Sequence, residues 1–373
     1  MKQEKVRIEF GGTELPALYD DLVSLEVELD DELAGLARIS LAVVQRDDGT
    51  WPYLDDDRFR LWQTVEITVG LGDAIETLLH GYVTHLRPDF PGTRDQCLLE
   101  IWAMDVTVLM DRREVCKDWP NRRDSDIATE IFSSYGLSSN VIRTGVVHDD
   151  LVSTIIQGET DIRFLRRLAR RNGFECYVSG KLGYFGPPEL ARSPQPLLRV
   201  MCGEQTNVTQ FAIEVEAVGP ATVGLAQIDP VTKESVEVTI EKSTLKSLGA
   251  RTAASYLPPG VEGAHVQVGQ CVTTGHAEAE ALCQALYERG EWFVTGEGEV
   301  AANYYGTILL PHRTVTIKGI GATYSGIYHV TRVIHSFVPD GYTQIFTVRR
   351  NALQPNGSEK FVDGGTGLPD LPI

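Results

Sequence analysis

Thr64 to Gly72 reads TVEITVGLG, and His80 to Leu86 then reads HGYVTHL. Val65, Ile67 and Val69 alternate with other residues, the period-two signature of a strand with one buried face. Gly70-Leu71-Gly72 turns the chain, and Leu79, Gly81 and Val83 resume the alternation. A second segment repeats this plan. Thr314 to Gly321 reads TVTIKGIG, and Tyr328 to His335 reads YHVTRVIH. Each copy is a strand, a Gly-x-Gly turn and a strand containing Val-Thr. Each then passes through a turn with Pro and Gly (Pro88 to Gly92, Pro339 to Gly341) into another strand. The repeat implies two similar β-domains within one chain. Three such chains in a ring would present six similar domains, which lets a threefold object dock onto a sixfold one.

Outward from the first copy, the N-terminal third continues in strands. Val6, Ile8 and Phe10 alternate, as do Leu25, Val27 and Leu29, then Ala37, Ile39, Leu41 and Val43, and Leu98 to Met104. Turn signals such as Asp47-Asp48-Gly49 punctuate them, a pattern of barrels or sandwiches. Near Asp111 the period changes. Ser125 is placed to cap a helix with Ile127, Ala128, Ile131, Phe132 and Tyr135 on one face, ended by Gly136. Thr160 is placed to cap a second helix with Ile162, Leu165, Leu168 and Ala169 as its stripe, ended by Gly173. Phe174 to Val178 reads as a short strand, and the Pro-rich stretch Pro187 to Pro196 as a boundary. Strands return from Leu198. Ala279, Leu282, Cys283 and Leu286 fall at helical spacing between Gly275 and Gly290, and strands run again from Phe293 to Val348. The expected division is a β-domain over 1–112, an α/β insert over 113–198, a second β-domain with an inserted helix over 199–353, and a tail over 354–373.

The chain has 373 residues and a formal charge of −18. The charge divides as −13 over 1–112, +1 over 113–198 and −6 over 199–373. Such acidity excludes nucleic-acid and anionic-lipid binders, which need surplus Lys and Arg. No uncharged apolar run reaches ~18 residues, so no membrane-spanning helix is expected. The start of the chain lacks the apolar core of a secretory signal. The six cysteines (Cys97, Cys116, Cys176, Cys202, Cys271, Cys283) form no CxxC pair and are expected reduced and mostly buried.

Catalytic constellations are missing from the sequence. There is no G-x-S-x-G, H-E-x-x-H or P-loop pattern. His265, Cys271, His276 and Cys283 lack structural zinc spacing, so no metal site is assigned to them. Asp20-Asp21, Asp55-Asp56-Asp57 and Asp149-Asp150 read as solvated turns rather than paired catalytic carboxyls. No cofactor is expected.

Gly158 to Val178, GETDIRFLRRLARRNGFECYV, resembles the signature of the phage late control protein D family, which also occurs in the hub region of type VI secretion VgrG spike proteins. Ser325 to Leu353, with His335, Gly341-Tyr342, Phe346 and Arg350-Asn351, resembles the family's closing block. Asp229-Pro230 with Thr232-Lys233 is a weaker third match. The resemblance implies a baseplate hub of a phage tail or contractile injection system, mainly β with an α+β insert. It implies two tube-like β-barrel domains per chain and a homotrimeric hub ring joining a sixfold tail tube to a threefold spike. It implies a structural protein rather than an enzyme. Its partners would be tail tube or tube-initiator proteins, a spike and baseplate wedge components. It would reside in the cytoplasm during assembly and then in the virion or injection particle. A hub with cell-wall hydrolase activity, or a type VI-like spike hub without its own β-helix, are the alternatives. Two departures stand out. Family members usually have Pro-Gly where this chain has Pro311-His312. Also, only ~20 residues follow the closing block, so the spike is expected as a separate polypeptide.

Two sets of residues are candidate contacts. Arg163, Arg166, Arg167, Arg170 and Arg171 lie mostly opposite the apolar stripe of their helix. They are either a solvated face or a surface for carboxylates of a neighbouring subunit. In the tail, Phe361, Leu368, Leu371 and Ile373 are candidate contacts to spike or neighbour. The acidity of the first domain either repels DNA or acidic cargo from a ring's bore or confers solubility alone.

Overall fold

A computed structural model describes residues 4–361 apart from 73, 94–95, 152–153, 220, 230–231 and 270–272. The N-terminal unit holds β1 (Glu4–Phe10), β2 (Thr13–Glu14), β3 (Leu22–Asp30), β4 (Leu36–Ala42), β5 (Thr64–Leu71), β6 (Ala74–Asp89) and β7 (Leu98–Asp105). Its alternating residues Leu25, Val27, Ile39, Val65, Ile67 and Ile101 point into one core. A short α1 (Thr107–Met110) leads to the insert: β8 (Glu114–Trp119), α2 (Asp124–Ser134), β9 (Ser138–Val141), β10 (Ile155–Thr160), α3 (Asp161–Asn172), β11 (Glu175–Ser179) and β12 (Leu182–Gly186). Ile127, Phe132, Leu165 and Leu168 form its separate core.

The C-terminal unit holds β13 (Gln195–Arg199), β14 (Val208–Val215), β15 (Thr222–Ile228), β16 (Ser235–Ile240), β17 (His265–Val268), α4 (His276–Gly290), β18 (Val294–Ala301), α5 (Ala302–Tyr305), β19 (Thr314–Lys318), α6 (Gly321–Tyr324), β20 (Gly326–Val338) and β21 (Gly341–Arg350). The helix expected between Gly275 and Gly290 is α4. It comes with a three-stranded sheet, β16-β15-β17, and a small core of its own around Val223, Leu225 and Cys283.

The chain is mainly β with helices, as expected, but of the two tube-like β-barrel domains expected per chain no closed barrel is found among the described residues. Thirteen strands instead join one open sheet, ordered β14-β18-β21-β20-β3-β4-β7-β6-β5-β1-β2, with β13 and β19 branching off β20. The two β-units meet where β20 pairs antiparallel with β3. Alternation along a strand records which face is buried but not which strand lies alongside, so this joint was not legible in the sequence.

The repeated segments fold alike. One panel is β3, β4, β7 and the second half of β6; the other is β14, β18, β21 and β20. Leu25, Ile39, Ile101 and Leu86 line up across the first, and Phe211, Gly298, Phe346 and Val333 across the second. Register shifts fall between Val83 and His85 in β6 and between Val330 and Arg332 in β20. They fall also between Leu22 and Ser24 in β3 and between Val208 and Gln210 in β14. The Trp62 N–H donates to the Val83 carbonyl as the His312 N–H donates to that of Val330. Trp62 and His312 share φ values of 66° and 60°. Matching bulges are a stronger sign of equivalence than matching composition, because a bulge marks one residue in a strand.

On the face turned away from the cores, these eight strands carry Glu26, Glu28, Asp30, Asp89, Glu100, Glu214, Glu297 and Glu299 against Arg38, Arg87 and Arg332. Arg349 lies on the same face but is drawn into the contact described below.

Two local expectations change. Ser125 is not the N-cap of α2. The helix begins at Asp124, with Arg123 as its cap residue, and Ser125 is buried against Thr144. Leu286 is 37% exposed and outside the α4 stripe, which buries Ala285 and Tyr287 instead. Thr160 and Gly173 do bracket α3, and Gly173 has the φ of 67° that closes a helix without a Cβ penalty.

Candidate functional site

The α3 arginines project from a helix wedged between the N-terminal unit and α4. Four of the five find carboxylates within the chain. Arg163 pairs with Asp111 at 2.9 Å, Arg167 with Glu159 at 2.5 Å, and Arg170 with Glu32 at 3.2 Å. Arg171 reaches Asp124 and Glu278, each at 3.0 Å, and so ties α3 to both α2 and α4. Burial alone would raise the Asp124 pKa, but His148 and Arg171 hold it below the ordinary carboxylate value. Arg166 has a buried Nε with no hydrogen-bond partner and lines a cleft of about 110 Å³ with Arg170, Arg289 and Trp292.

The signature Glu159-Thr160-Asp161 is structural. Thr160 donates its hydroxyl to Asp111 at 2.5 Å rather than to the helix end. Asp161 accepts from the Tyr135 hydroxyl and the Gln157 amide, both at 2.7 Å. Gln157 in turn accepts from the Trp119 indole at 3.1 Å. The closing block acts likewise. His335 and Tyr342 share a buried hydrogen bond of 2.7 Å. Burial pushes His335 down to about 3, so it stays neutral.

Arg350 is fully buried and donates to the carbonyls of Leu248, Tyr324, Ser325 and Gln354. A Cβ at Gly326 would lie 2.3 Å from its guanidinium, so that position requires glycine. Asn351 bonds both Lys246 and Leu248.

A polar cluster joins all three units. Glu175 on β11 accepts from His312 at 3.1 Å and His329 at 2.9 Å. Arg349 bridges Glu175 at 3.3 Å and Asp31 at 3.4 Å, with Trp292 beneath its guanidinium at 4.4 Å. Burial would raise the Glu175 pKa, but the two histidine hydrogen bonds outweigh it and keep the carboxyl ionised. Burial holds His329 below its ordinary value, so it donates as a neutral imidazole. Asp31 has no such compensation; burial pushes it up to about 6, against the pull of Arg349.

Asp31, Glu175 and His329 bring three ligand atoms within 4.8 Å of one another. Arg349 already bridges both carboxylates, so a metal ion would have to displace a guanidinium. The cluster was missed because its members span 31 to 349. The available signal was polarity inside strands: Glu175 amid FECYV and His329 amid YHVTRVIH.

The remaining candidates are dispersed. His265 bonds Thr222 and Gln267, Cys283 is buried in the α4 core, and Cys271 lies outside the described residues. Cys97 and Cys176 are also buried, whereas Cys116 is exposed and Cys202 intermediate. The acidic runs serve turns: Asp55 accepts from the Trp51 N–H, Asp56 from Arg58, and Asp149 from the Leu151 N–H. Asp21 accepts from the Tyr53 hydroxyl. In the tail, Lys318 donates to the Phe361 carbonyl; Leu368, Leu371 and Ile373 lie outside the described residues, as does Pro230. Among the described residues no helix is long and apolar enough to cross a membrane.

A family model for the Alg8 N-terminal domain matches residues 2–338. The chain belongs to this family. No curated protein matches it in sequence. Solved structures share the fold of this Alg8 N-terminal domain protein over nearly its whole length. The 43 kDa tail protein of prophage MuSo2 from Shewanella oneidensis superposes with a TM-score of 0.66 at 13% identity, covering 94% of this chain and 100% of its own. A tail protein from Neisseria meningitidis MC58 gives 0.65 at 12% identity, covering 93% and 97%. The Escherichia coli c3393 protein, a type VI secretion component with structural similarity to the T4 tail proteins gp27 and gp5, gives 0.53 at 13% identity, covering 95% and 79%. The fold is thus that of phage tail proteins and of the type VI secretion hub, as the two quoted sequence segments implied.

Proposed function

We propose that this chain is the structural baseplate hub of a phage tail or related contractile injection system, working as a homotrimer without catalysis. The observation that carries this reading is the pair of equivalent four-strand panels joined in one sheet. Three chains would bring six such panels around an axis, and six panels suit a sixfold tube while the three chains suit a threefold spike. Tube-like closure is then a property of the ring rather than of the chain. The insert over 113–198 stands outside the wall, held by the Glu175 cluster and by α3, and the β-units over 1–112 and 199–353 supply the panels. The tail over 354–373 and the α3 arginines are the surfaces proposed to meet spike and neighbour. The signature residues act as scaffolding, which fits a device that works by assembly. The partners proposed are a tail tube or its initiator, a spike and baseplate wedge components, with assembly in the cytoplasm.

Mass measurement of the purified chain tests this. A species near three times 41.2 kDa is expected, alone or with spike protein added. A monomer under both conditions, or a cleared band in a cell-wall zymogram, would overturn the reading.

A further inference from the structure

We propose that the cleft where the three units meet binds one carboxylate carried on a short aliphatic stem, with Arg166 as its counter-charge. The site is formed within one chain and does not depend on the ring.

The charges lining the cleft leave one cation over. Arg166, Arg170, Arg289 and Arg349 supply four guanidinium groups. Four carboxyls line the cleft with them, and each is already engaged. Asp31 and Glu175 hold Arg349, and Glu175 also accepts from His312 and His329. Glu288 accepts from the Thr244 N–H and hydroxyl and from the Gln284 amide, at 2.9, 2.6 and 2.7 Å. Glu32 lies across Arg170 and Arg289 at 3.2 and 4.0 Å. Arg166 makes no hydrogen bond or ion pair among the described residues, and its Nε is buried. Asp105 is near enough to feel its charge but gives its oxygens to the Gly35 and Thr107 N–H groups and the Thr107 hydroxyl. Cys176 also lines the cleft, yet burial pushes its thiol up to about 12, so it offers no anion. A partly desolvated guanidinium without an anion is an arrangement that native structures resolve with a bound ion.

Size, wall and charge narrow the ligand. The cleft of about 110 Å³ is far below the roughly 300 Å³ at which pockets for larger ligands begin. Ala169, Phe174, Pro188, Leu245, Ala285 and Trp292 give it an apolar wall, which suits carbon rather than the full oxygen shell of a phosphate. With four guanidinium groups against four carboxyls the lining has no surplus charge, so a dianion would be repelled by Asp31 and Glu175 as it met Arg166. A monocarboxylate matches the single unpaired guanidinium, whose fork can take both of its oxygens. Two sources carry that chemistry: a free short-chain acid, or an aspartate or glutamate side chain of a bound polypeptide. Glu32, about half exposed, is the chain's own competitor for Arg170 and Arg289.

Equilibrium dialysis of the full chain against labelled butyrate, at constant ionic strength, tests this. One site per chain is expected. Arg166→Met should weaken binding by about tenfold or more, while Arg122→Gln, an exposed arginine of the insert outside the cleft, should leave it within about twofold. Glu32→Gln should tighten binding about threefold by releasing Arg170 and Arg289, a gain that a purely structural set of arginines would not give. Without butyrate, Arg166→Met should unfold within about 3 °C of wild type or above it, because it removes an unpaired charge. A capped Gly-Glu-Gly tripeptide is the second probe. Tighter binding than butyrate, with the same dependence on Arg166, assigns the source to a protein side chain; weaker binding assigns it to a free acid, and either supports the site. Inorganic phosphate that displaces butyrate at equal concentration overturns the carboxylate assignment. No binding of either probe, or butyrate binding unmoved by both Arg166→Met and Glu32→Gln, overturns the proposal. A ligand-free Arg166→Met that fails to fold overturns the reading of Arg166 as an unpaired charge, and Glu32→Gln then decides whether the cleft takes a carboxylate at all.

Discussion

His312 lies flat on Tyr177, with ring centroids 3.4 Å apart and an angle of 12° between the rings. It does so from a backbone φ of 60°, where a residue with a Cβ is disfavoured by about 1–2 kcal/mol. The stack and the hydrogen bond to Glu175 offset that cost. His312→Ala loses both contacts and keeps the strain, so a loss of about 1–2 kcal/mol is expected. His312→Gly removes the strain as well and should be roughly 1 kcal/mol better than alanine. Urea unfolding of the three proteins measures the order; alanine equal to or above glycine would refute it.

Asp31 gives the cluster a pH dependence of determined sign. Its carboxyl is pushed up to about 6 in the folded chain from an ordinary 3.8. The contribution is therefore present below the ordinary value and is lost as pH rises through 6. The Glu175 effect has the opposite sign and falls in a lower window, below the usual carboxylate range. Asp31→Asn is expected to remove about 2 kcal/mol of the stability change between pH 4.5 and 7.5. Thermal unfolding across that range, variant against wild type, reads it directly.

Arg350 spans four carbonyls that a lysine ammonium cannot reach together. Arg350→Lys leaves buried acceptors without donors, at ~1–3 kcal/mol each. A loss on the order of 3 kcal/mol or more is expected, seen as a lower denaturant midpoint with little change in slope.

The two central arginines of α3 should separate. Arg170 and Glu32 are both about half exposed, so Arg170→Glu is expected to change stability by less than about 1 kcal/mol. Arg166→Glu places a carboxylate in the cleft beside Glu175 and should cost more. Sedimentation of the double reversal then tests assembly, provided unfolding midpoints for each single variant are measured alongside.

The sequence carried the local information well. Thr160 and Gly173 bracket α3 because a helix start and stop are written in adjacent residues. The repeat was legible because a strand, a turn and a strand lie within ~25 residues. Ser125 misled because Ser is a good cap in isolation, while here it is buried against Thr144 and the helix starts two residues earlier, capped at Arg123. The β20–β3 joint and the Glu175 cluster were not legible. Both depend on partners more than 130 residues apart, and neither alternation nor composition specifies a partner. The two segments that carried the resemblance turn out to hold the chain together, so they marked the fold without marking any chemistry.

The eight carboxylates and three guanidinium groups on the sheet face away from the cores have a consequence once the panels face an axis. The surplus would repeat around the circumference and line a lumen with fixed negative charge. Such a wall holds a polyanion off by about one Debye length, near 10 Å at 0.1 M salt and 3 Å at 1 M. The passage would then have an electrical width as well as a steric one. Its clear diameter for DNA or an acidic protein would narrow in dilute buffer and widen in brine, without any atom of the wall moving.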